Sequence, residues 1–250
     1  MKLKTSLVVI ATLISGLLAT EQTRAAIALD RTRVIFDGGS KSVSLGISNE
    51  NKELPYLAQG WIEDAAGKKL ESTLLVLPPL QRVEPGAKSQ VKIQATAAAM
   101  QLPQDRESIY YFNLREIPPK STKPNTLQIA LQTRVKLFYR PAPLMATPND
   151  YANPWQAKLT LTKLGDKYQV NNPTPYYVTL TSASTSLKGK EIVDFEQLMV
   201  NPKSSASLNL SAALLGSNPV LTYINDFGGR PQLVFQCAGT TCTVKENVPG

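Results

Sequence analysis

The side chains that most often carry enzymatic chemistry are scarce in this sequence. The chain has no histidine among its 250 residues, which removes the most common general base, the usual serine triad and most zinc sites. It contains no phosphate-binding or nucleophile-elbow motif. The acids Glu63–Asp64 and Asp105/Glu107 lie beside turns, as solvated carboxylates ordinarily do. The sequence therefore favours a binding protein without metal or cofactor, and an enzyme built on Lys, Tyr or Ser stays as an alternative.

The two cysteines are the remaining residues with distinctive chemistry. Cys237 and Cys242 lie in the segment FQCAGTTCTV, with four residues including Gly239 between them. Strand-like residues flank both sides, which favours a disulfide across a tight hairpin in an oxidising compartment. The alternative is a reactive or metal-binding pair, but metal sites usually need further Cys or His ligands. The predicted disulfide closes a small loop, so it stiffens one hairpin end.

The first residues predict export. Lys2 and Lys4 precede an uncharged apolar run from Ser6 to Ala19, and small residues follow. This pattern is typical of a secretory signal peptide, residues 1–25, cleaved after about Ala25. The alternative is an N-terminal membrane anchor, although the run is shorter than the ~20 residues that a spanning helix needs. No later segment is apolar enough to cross a membrane, so we expect a soluble exported protein without membrane insertion.

The elements that must position any site are predicted to be β-strands. Short runs of alternating apolar and polar residues recur between turns rich in Gly and Pro, and no long segment has helical periodicity. Four prolines between Pro141 and Pro154 predict an extended connection. We expect an all-β protein with two immunoglobulin-like (Ig-like) sandwiches, residues 26–144 and 145–250. The formal net charge of +8 is scattered along the chain, so nucleic-acid binding is not expected.

One predicted strand is about twice the usual length. Between Thr126 and Pro141, apolar residues fall on one parity and mainly polar residues on the other, which is the period of a half-buried strand. Such a length indicates either a large sheet or a strand that contributes to the core of a partner. From the pattern alone, Leu127, Ile129 and Leu131 would face the protein's own core.

Several motifs resemble those of the periplasmic pilus-assembly chaperones. These are YYFNLREIPPKS, LQIALQTRVKLFYRP, ALDRTRVIFDGGS, NPTPYYVTL and YINDFGGRP. The match extends from Ala26 to about Val244 and weakens in the stretch 181–197. The short PPKSTKPN segment resembles the short-loop branch of the family. The resemblance implies two Ig-like domains in a boomerang arrangement with a cleft between them.

The resemblance also implies roles for particular residues. In this family the last strand of the first domain completes the Ig-like fold of a pilus subunit that lacks one strand. The residues that match this donor strand are Leu127, Ile129 and Leu131. Two cleft cations that hold the C-terminal carboxylate of the subunit correspond to Arg33 and Lys136. A charged network that bridges the two domains corresponds to Glu107, Arg140 and Asp226.

The function implied is that of a periplasmic chaperone without turnover or ATP. It would bind, fold and cap pilus subunits and deliver them to the outer-membrane usher. The exposed apolar donor residues also suggest that the protein self-associates when it carries no subunit. The main rival is an Ig-like surface adhesin or structural pilus component, which would have its binding site in loops. The two-domain length and the pair Arg33 and Lys136 argue against that rival.

Overall fold

The computed structural model describes residues 25–250, and these residues form the all-β architecture expected from the sequence. The predicted signal peptide, residues 1–25, lies outside the described residues except for Ala25. The strands are β1 (Ile27–Leu29), β2 (Arg33–Asp37), β3 (Ser42–Asn49), β4 (Tyr56–Glu63), β5 (Lys69–Leu70), β6 (Leu74–Leu77), β7 (Leu80–Val83), β8 (Lys88–Ala95), β9 (Ser108–Ile117), β10 (Gln132–Arg140), β11 (Thr160–Leu164), β12 (Lys167–Asn172), β13 (Val178–Ser184), β14 (Leu198–Val200), β15 (Ser204–Ser211), β16 (Val220–Tyr223), β17 (Gln232–Ala238) and β18 (Thr241–Val248).

The helical segments within the described residues are short. They are the α-helices α1 (Pro148–Ala152) and α2 (Ala212–Leu215), and 3-10 helices at Ala97–Gln101, Ala142–Leu144 and Trp155–Lys158. The α1 helix begins with a capping box, in which Thr147 and Asp150 bond to each other's backbone N–H groups. From Ala25 to Gly250, the structure contains no helix with the length and hydropathy of a membrane span.

The first domain is a sandwich of two sheets. One sheet has the strand order β1-β3-β8-β6, and the other has the order β2-β10-β9-β4-β5, with β7 also paired to β4. Alternate residues of both sheets fill one core, in which Phe36, Leu45, Phe112 and Leu137 are fully buried. This is the period-two arrangement expected of packed sheets, in which successive side chains point to opposite faces.

The β10 strand is buried on both faces in its second half. Val135, Leu137 and Tyr139 point into the core of the first domain. Phe138 and Arg140, on the opposite parity, are also buried. The second set is buried because that face of the sheet packs against the second domain. The end of β10 therefore belongs to both the sandwich core and the interface between the domains.

The prediction of one continuous strand from Thr126 to Pro141 is wrong for its first half. The regular strand begins at Gln132. A β-strand is defined by its backbone hydrogen bonds to a neighbouring strand, and residues 126–131 make almost no such bonds. On one side β9 ends at Ile117, and the following Pro118 and Pro119 have no N–H group. On the other side β2 pairs with β10 only from Lys136 onward.

The second domain contains eight strands in the order β14-β13-β16-β17-β18-β11-β12-β15. All of these pairs are antiparallel. The end strands β14 and β15 come back into contact, so the sheet folds over its own core. Leu161, Leu180, Leu221 and Phe235 are fully buried in this core.

The predicted disulfide is present. Cys237 and Cys242 are bonded and are direct register partners at the closed end of the β17–β18 hairpin. Cys242 is fully buried and Cys237 packs against the core of the second domain. The bond therefore holds a hairpin end against the core, a structural role.

Candidate functional site

The segment before β10 presents a row of exposed apolar side chains. Leu127, Ile129 and Leu131 are 84%, 64% and 42% exposed. The interpretation that they face the protein's own core is therefore wrong. Leu127, Ile129 and Leu131 share the parity of Val135 and Leu137, which are buried in the first domain. Exposed apolar residues in a contiguous row are typical of an interaction surface. We call residues 126–131 the donor segment.

The two predicted cleft cations lie side by side. Arg33 and Lys136 are register partners in the parallel pairing of β2 with β10. Their side chains lie on the face of the sheet that packs against the second domain. Neither cation has an ion-pair partner within residues 25–250. Two neighbouring cations without a carboxylate form a ready site for an anion.

The second domain holds both cationic head groups through neutral oxygens. Arg33 Nη1 donates to the carbonyl of Ile224 at 3.2 Å. Lys136 Nζ donates to Thr179 Oγ1 at 3.2 Å. The backbone N–H of Ile224 in turn donates to the carbonyl of Thr179 at 3.0 Å, so the two supports are joined. Arg33 Nε is buried and has no hydrogen-bond partner among the described residues.

Burial makes these charges costly without an anion. Desolvation lowers the pKa of Arg33, and the negative charges of Asp226 and Glu107 oppose that effect. Desolvation, followed by the positive charge of Arg33, lowers the pKa of Lys136 from 10.5 to about 8. A carboxylate bound between the two cations would raise both pKa values, because a nearby negative charge favours the charged form of each side chain.

An open hollow of about 550 Å³ lies beside Arg33 between the two domains. The first domain contributes Ile35 and the segment before β2, and the second domain contributes Asp226 and Phe227. Phe227 is 78% exposed. The loop that carries it is held by Asn225 Oδ1, which accepts from the backbone N–H groups of Phe227 and Gly229.

A glycine lets this loop approach the first domain closely. Gly228 has φ of +85°, a value that favours glycine. A Cβ atom at this position would lie 2.8 Å from Thr32 Oγ1. The loop after β16 therefore reaches the residues just before Arg33, which closes one side of the hollow.

The structure brings the three predicted network residues together. Arg140 Nε donates to Glu107 Oε1 at 2.8 Å. Its two terminal nitrogens donate to the Asp226 carboxylate at 2.7 and 3.0 Å, in a bidentate pair. Arg140 is 1% exposed. Because Glu107 and Arg140 come from the first domain and Asp226 from the second, the network crosses the interface.

Further contacts complete this network. Glu107 Oε2 accepts from the backbone N–H of Tyr177 at 2.7 Å. The Arg140 guanidinium lies 5.1 Å from the ring centre of Trp155 and 5.0 Å from that of Tyr176, within cation–π range. Glu107 and Arg140 therefore each have partners on both sides of the interface, and Asp226 is bonded by Arg140 across it.

The pKa values of this network have opposing causes. Burial raises the pKa of Glu107, and the charge of Arg140 together with the bond from Tyr177 partly reverses the rise. Burial acts to lower the pKa of Arg140, but its bonds and charge interactions with Asp226 and Glu107 outweigh that and raise it. Arg140 therefore stays charged.

Sequence reasoning missed the residues that support the anchors from the second domain. Thr179 and the Ile224 carbonyl contact the cations, and Trp155 and Tyr176 flank Arg140. The motifs NPTPYYVTL and YINDFGGRP contain Thr179, Tyr176 and Ile224, so the segments were recognised without these roles. Within residues 25–250, no group of three or more acidic or cysteine side chains is arranged to hold a metal ion.

Comparisons with known proteins agree with this architecture. A family model described as "Pili and flagellar-assembly chaperone, PapD N-terminal domain" matches residues 26–145. A second, described as "Pili assembly chaperone PapD, C-terminal domain", matches residues 154–235. Chaperone protein PapD of Escherichia coli is 51% identical over 223 residues, which cover 89% of this chain and 91% of PapD.

Two further relatives are similar in sequence or structure. The probable fimbrial chaperone YfcS of Escherichia coli K12 is 51% identical over 222 residues, covering 89% of this chain and 87% of YfcS. A chain from the solved complex of the Salmonella enterica SafA pilin with the SafB chaperone aligns with a TM-score of 0.68 and 30% identity, covering 84% of this chain and 94% of that chain. The resemblance seen in the sequence motifs is confirmed, and the chain belongs to the PapD family of pilus-assembly chaperones.

Proposed function

We propose that this pilus-assembly chaperone captures pilus subunits by donating the segment 126–131 as a missing strand. The observation that carries the proposal is the exposure of Leu127, Ile129 and Leu131 on a segment that leads directly to the paired cations Arg33 and Lys136. A solved relative is a complex of a pilin with its chaperone, which supports a pilus subunit as the partner here.

The apolar residues of the donor segment suit the core of a partner. They continue the parity of Val135, whose side chain enters the first domain's core. A partner groove that buried all three would extend that core beyond the end of the sandwich. Each aliphatic side chain contributes about 1.5–3 kcal/mol on full burial, before the cost of ordering. The edges of the segment also offer unpaired N–H and C=O groups to a neighbouring strand.

The anchors determine where and in which direction a subunit strand can bind. The edge of β10 before Lys136 is open on the side where β2 begins at Arg33. A subunit strand that ran parallel to β10 along this edge would end head-on against the start of β2. Its C-terminal carboxylate would then lie between the Lys136 amine and the Arg33 guanidinium.

An end-stop of this kind also sets the register. A shift by one residue would present the polar parity of the donor segment to the subunit groove. Charge-assisted hydrogen bonds to a carboxylate contribute about 1.5–3 kcal/mol each. Because every subunit has a C-terminus, the same two cations can anchor subunits of different sequence.

The network of Glu107, Arg140 and Asp226 has a positioning role in this proposal. It joins the domains next to the hollow that contains Arg33. The cationic head groups are held by Thr179 and Ile224 of the second domain. A change in the relative orientation of the domains would therefore move the anchors away from the end of the donor segment.

The proposal includes a compartment and a second partner. The predicted signal peptide, residues 1–25, would export the chain to the periplasm. The loaded chaperone would then be recognised by the outer-membrane usher, where the next subunit displaces the donor segment. Binding assays with detergent-solubilised usher from the same cells test this step. The loaded complex should bind, and equal binding of the unloaded chaperone would contradict delivery.

The decisive experiment is a native mass spectrum of the protein purified from the periplasm of cells that make their own pili. We expect a one-to-one complex with a pilin-sized chain, and we expect Arg33→Ala to reduce its amount strongly. The exposed cation Lys92, on the opposite sheet, provides a matched control. If the native protein carries no such partner, strand donation is contradicted.

A further inference from the structure

The donor segment lies beyond the last backbone hydrogen bond between β9 and the chain that returns to β10. In that bond the N–H of Glu116 donates to the carbonyl of Leu131 at 3.0 Å. Continuing the same register places Ile129 opposite Pro118 and Gln128 opposite Pro119. The next hydrogen-bonded pair of the ladder would include one bond donated by the N–H of residue 118, and proline has none.

A side chain spans the position where the backbone ladder stops. Gln128 Nε2 donates to the carbonyl of Pro119, and Gln128 Oε1 accepts from the backbone N–H of Ser121 at 3.4 Å. Within residues 25–250, no backbone hydrogen bond joins residues 126–130 to residues 117–121. The Gln128 amide is therefore the contact that ties the middle of the donor segment to the preceding chain.

The parity of Gln128 suits this task. It lies between Leu127 and Ile129, so in an extended chain its side chain points away from theirs. The contact with Pro119 and Ser121 therefore uses the polar parity and leaves the apolar row exposed. One more glutamine of the same parity, Gln132, donates to Asn113 Oδ1 at 2.8 Å, but its backbone already lies within the β9–β10 ladder.

We infer that Gln128 is a positioning residue that keeps the donor segment extended before a subunit arrives. This inference rests on the proposed donor role of the segment. Fixing the backbone of each residue costs conformational entropy. A segment that is already extended in the free protein loses less entropy when the subunit binds. Once the subunit is bound, its own strands hold the segment. Gln128 should therefore affect the rate of capture much more than the rate of release.

The test uses the full-length mature chain and three variants. Gln128→Ala removes both hydrogen bonds, and Gln128→Glu keeps the shape and the acceptor but cannot donate to the Pro119 carbonyl. Thr122→Ala, in the same exposed loop, is the control, because Thr122 makes no side-chain hydrogen bond within residues 25–250. Backbone amide order parameters at Leu127 and Ile129 report the order of the donor segment without any subunit.

Capture is measured with the major pilin of the same cells, unfolded in urea and diluted into the chaperone. We expect both Gln128 variants to lower the order parameters from about 0.8 to below about 0.6. Capture should slow by about 3–10-fold, the effect of losing one or two exposed hydrogen bonds, with release unchanged within about twofold. Thr122→Ala should match the wild type in all three measurements.

Two results would overturn the inference. Order parameters that stay unchanged in Gln128→Ala would show that the amide does not hold the segment. If release becomes faster by as large a factor as capture becomes slower, Gln128 contacts the bound subunit instead. If the wild type captures no pilin, the proposed donor role fails, while the order parameters still decide whether Gln128 holds the segment.

Discussion

Arg33 and Lys136 are direct register partners on the parallel strands β2 and β10, and this pairing begins at these two residues. Two cations therefore stand together at the point where one edge of β10 changes from paired to open. The open edge leads back to Leu127, Ile129 and Leu131. The pairing of Arg33 with Lys136 therefore places the candidate anchor at the end of the open edge that leads to the candidate donor segment.

The first prediction concerns the anchors. Arg33→Ala and Lys136→Ala should each weaken subunit binding by about 10–150-fold, because each removes a charge-assisted hydrogen bond of about 1.5–3 kcal/mol. The unfolding free energy should not fall, since burial is the largest influence on the pKa of both cations and neither has an ion-pair partner within residues 25–250. Pilin levels in the periplasm and urea unfolding measure the two effects, and Lys92→Ala is the control. Normal pilin levels in the two variants would rule out the anchor.

The second prediction separates donor residues from core residues. Ile129→Asp should weaken subunit binding by at least about tenfold because the aspartate would enter an apolar groove. The change should alter the unfolding free energy by no more than about 0.5 kcal/mol, as expected of an exposed position. The matched variant Leu137→Asp, of the same parity but fully buried, should unfold the first domain. Circular dichroism and binding assays decide, and loss of the fold in Ile129→Asp would place Ile129 in the chaperone's own core.

The third prediction concerns the interdomain network. Arg140→Ala should lower the unfolding free energy by about 3–5 kcal/mol because it leaves the buried Glu107 carboxylate without its cation. Urea unfolding followed by tryptophan fluorescence reports this change, since Trp155 lies beside Arg140. Arg106→Ala removes an exposed ion pair with Asp105 and should cost far less than Arg140→Ala, because exposed ion pairs contribute little. A loss in Arg140→Ala no larger than the loss in Arg106→Ala would contradict a stabilising network.

The fourth prediction is a pH dependence of subunit binding. The pKa of Lys136 in the free protein is lowered to about 8 by burial and by the charge of Arg33. A carboxylate binds the protonated amine, so affinity should be highest below pH 8 and should fall by up to about tenfold per pH unit above it. Lys136→Arg stays charged and should show no such fall. Binding constants between pH 6.5 and 9.5 test this, and identical pH profiles for the two proteins would contradict it.

The same shift predicts a change in stability of a definite sign. The pKa of Lys136 lies below its ordinary value of 10.5 in the folded protein. Between pH 8 and 10.5 the unfolded chain therefore binds more protons at this residue, and the unfolding free energy should rise with pH. Because tyrosines also titrate in this range, the quantity to measure is the difference between the wild type and Lys136→Met. A difference that falls with pH would have the wrong sign.

Local patterns in the sequence were sufficient for the type of element and for the parity of its residues. The alternation along β10 assigns Val135 and Leu137 to one face and Lys136 to the other, and the structure has them so. The period of two is a property of the extended backbone itself, so it is visible in a single segment. The same alternation wrongly extended the strand to Thr126, because alternation continues where hydrogen-bonded partners do not.

The tertiary structure decided which residues meet. Arg140 is 33 residues from Glu107 and 86 from Asp226 along the chain, and no local pattern relates such positions. Only the resemblance to a family had linked them in advance. The contact of Arg33 with the Ile224 carbonyl is also beyond sequence reasoning, since it uses a backbone atom that every residue has.

By itself, then, the sequence determined an all-β chain, the alternation that places Leu127, Ile129 and Leu131 on one parity, and a family resemblance that the comparisons confirm. The tertiary structure alone decided that Leu127, Ile129 and Leu131 are exposed and that the ladder beneath them stops at Pro118. The physical reason is that side-chain alternation is local, whereas strand pairing and burial depend on which distant segments lie alongside.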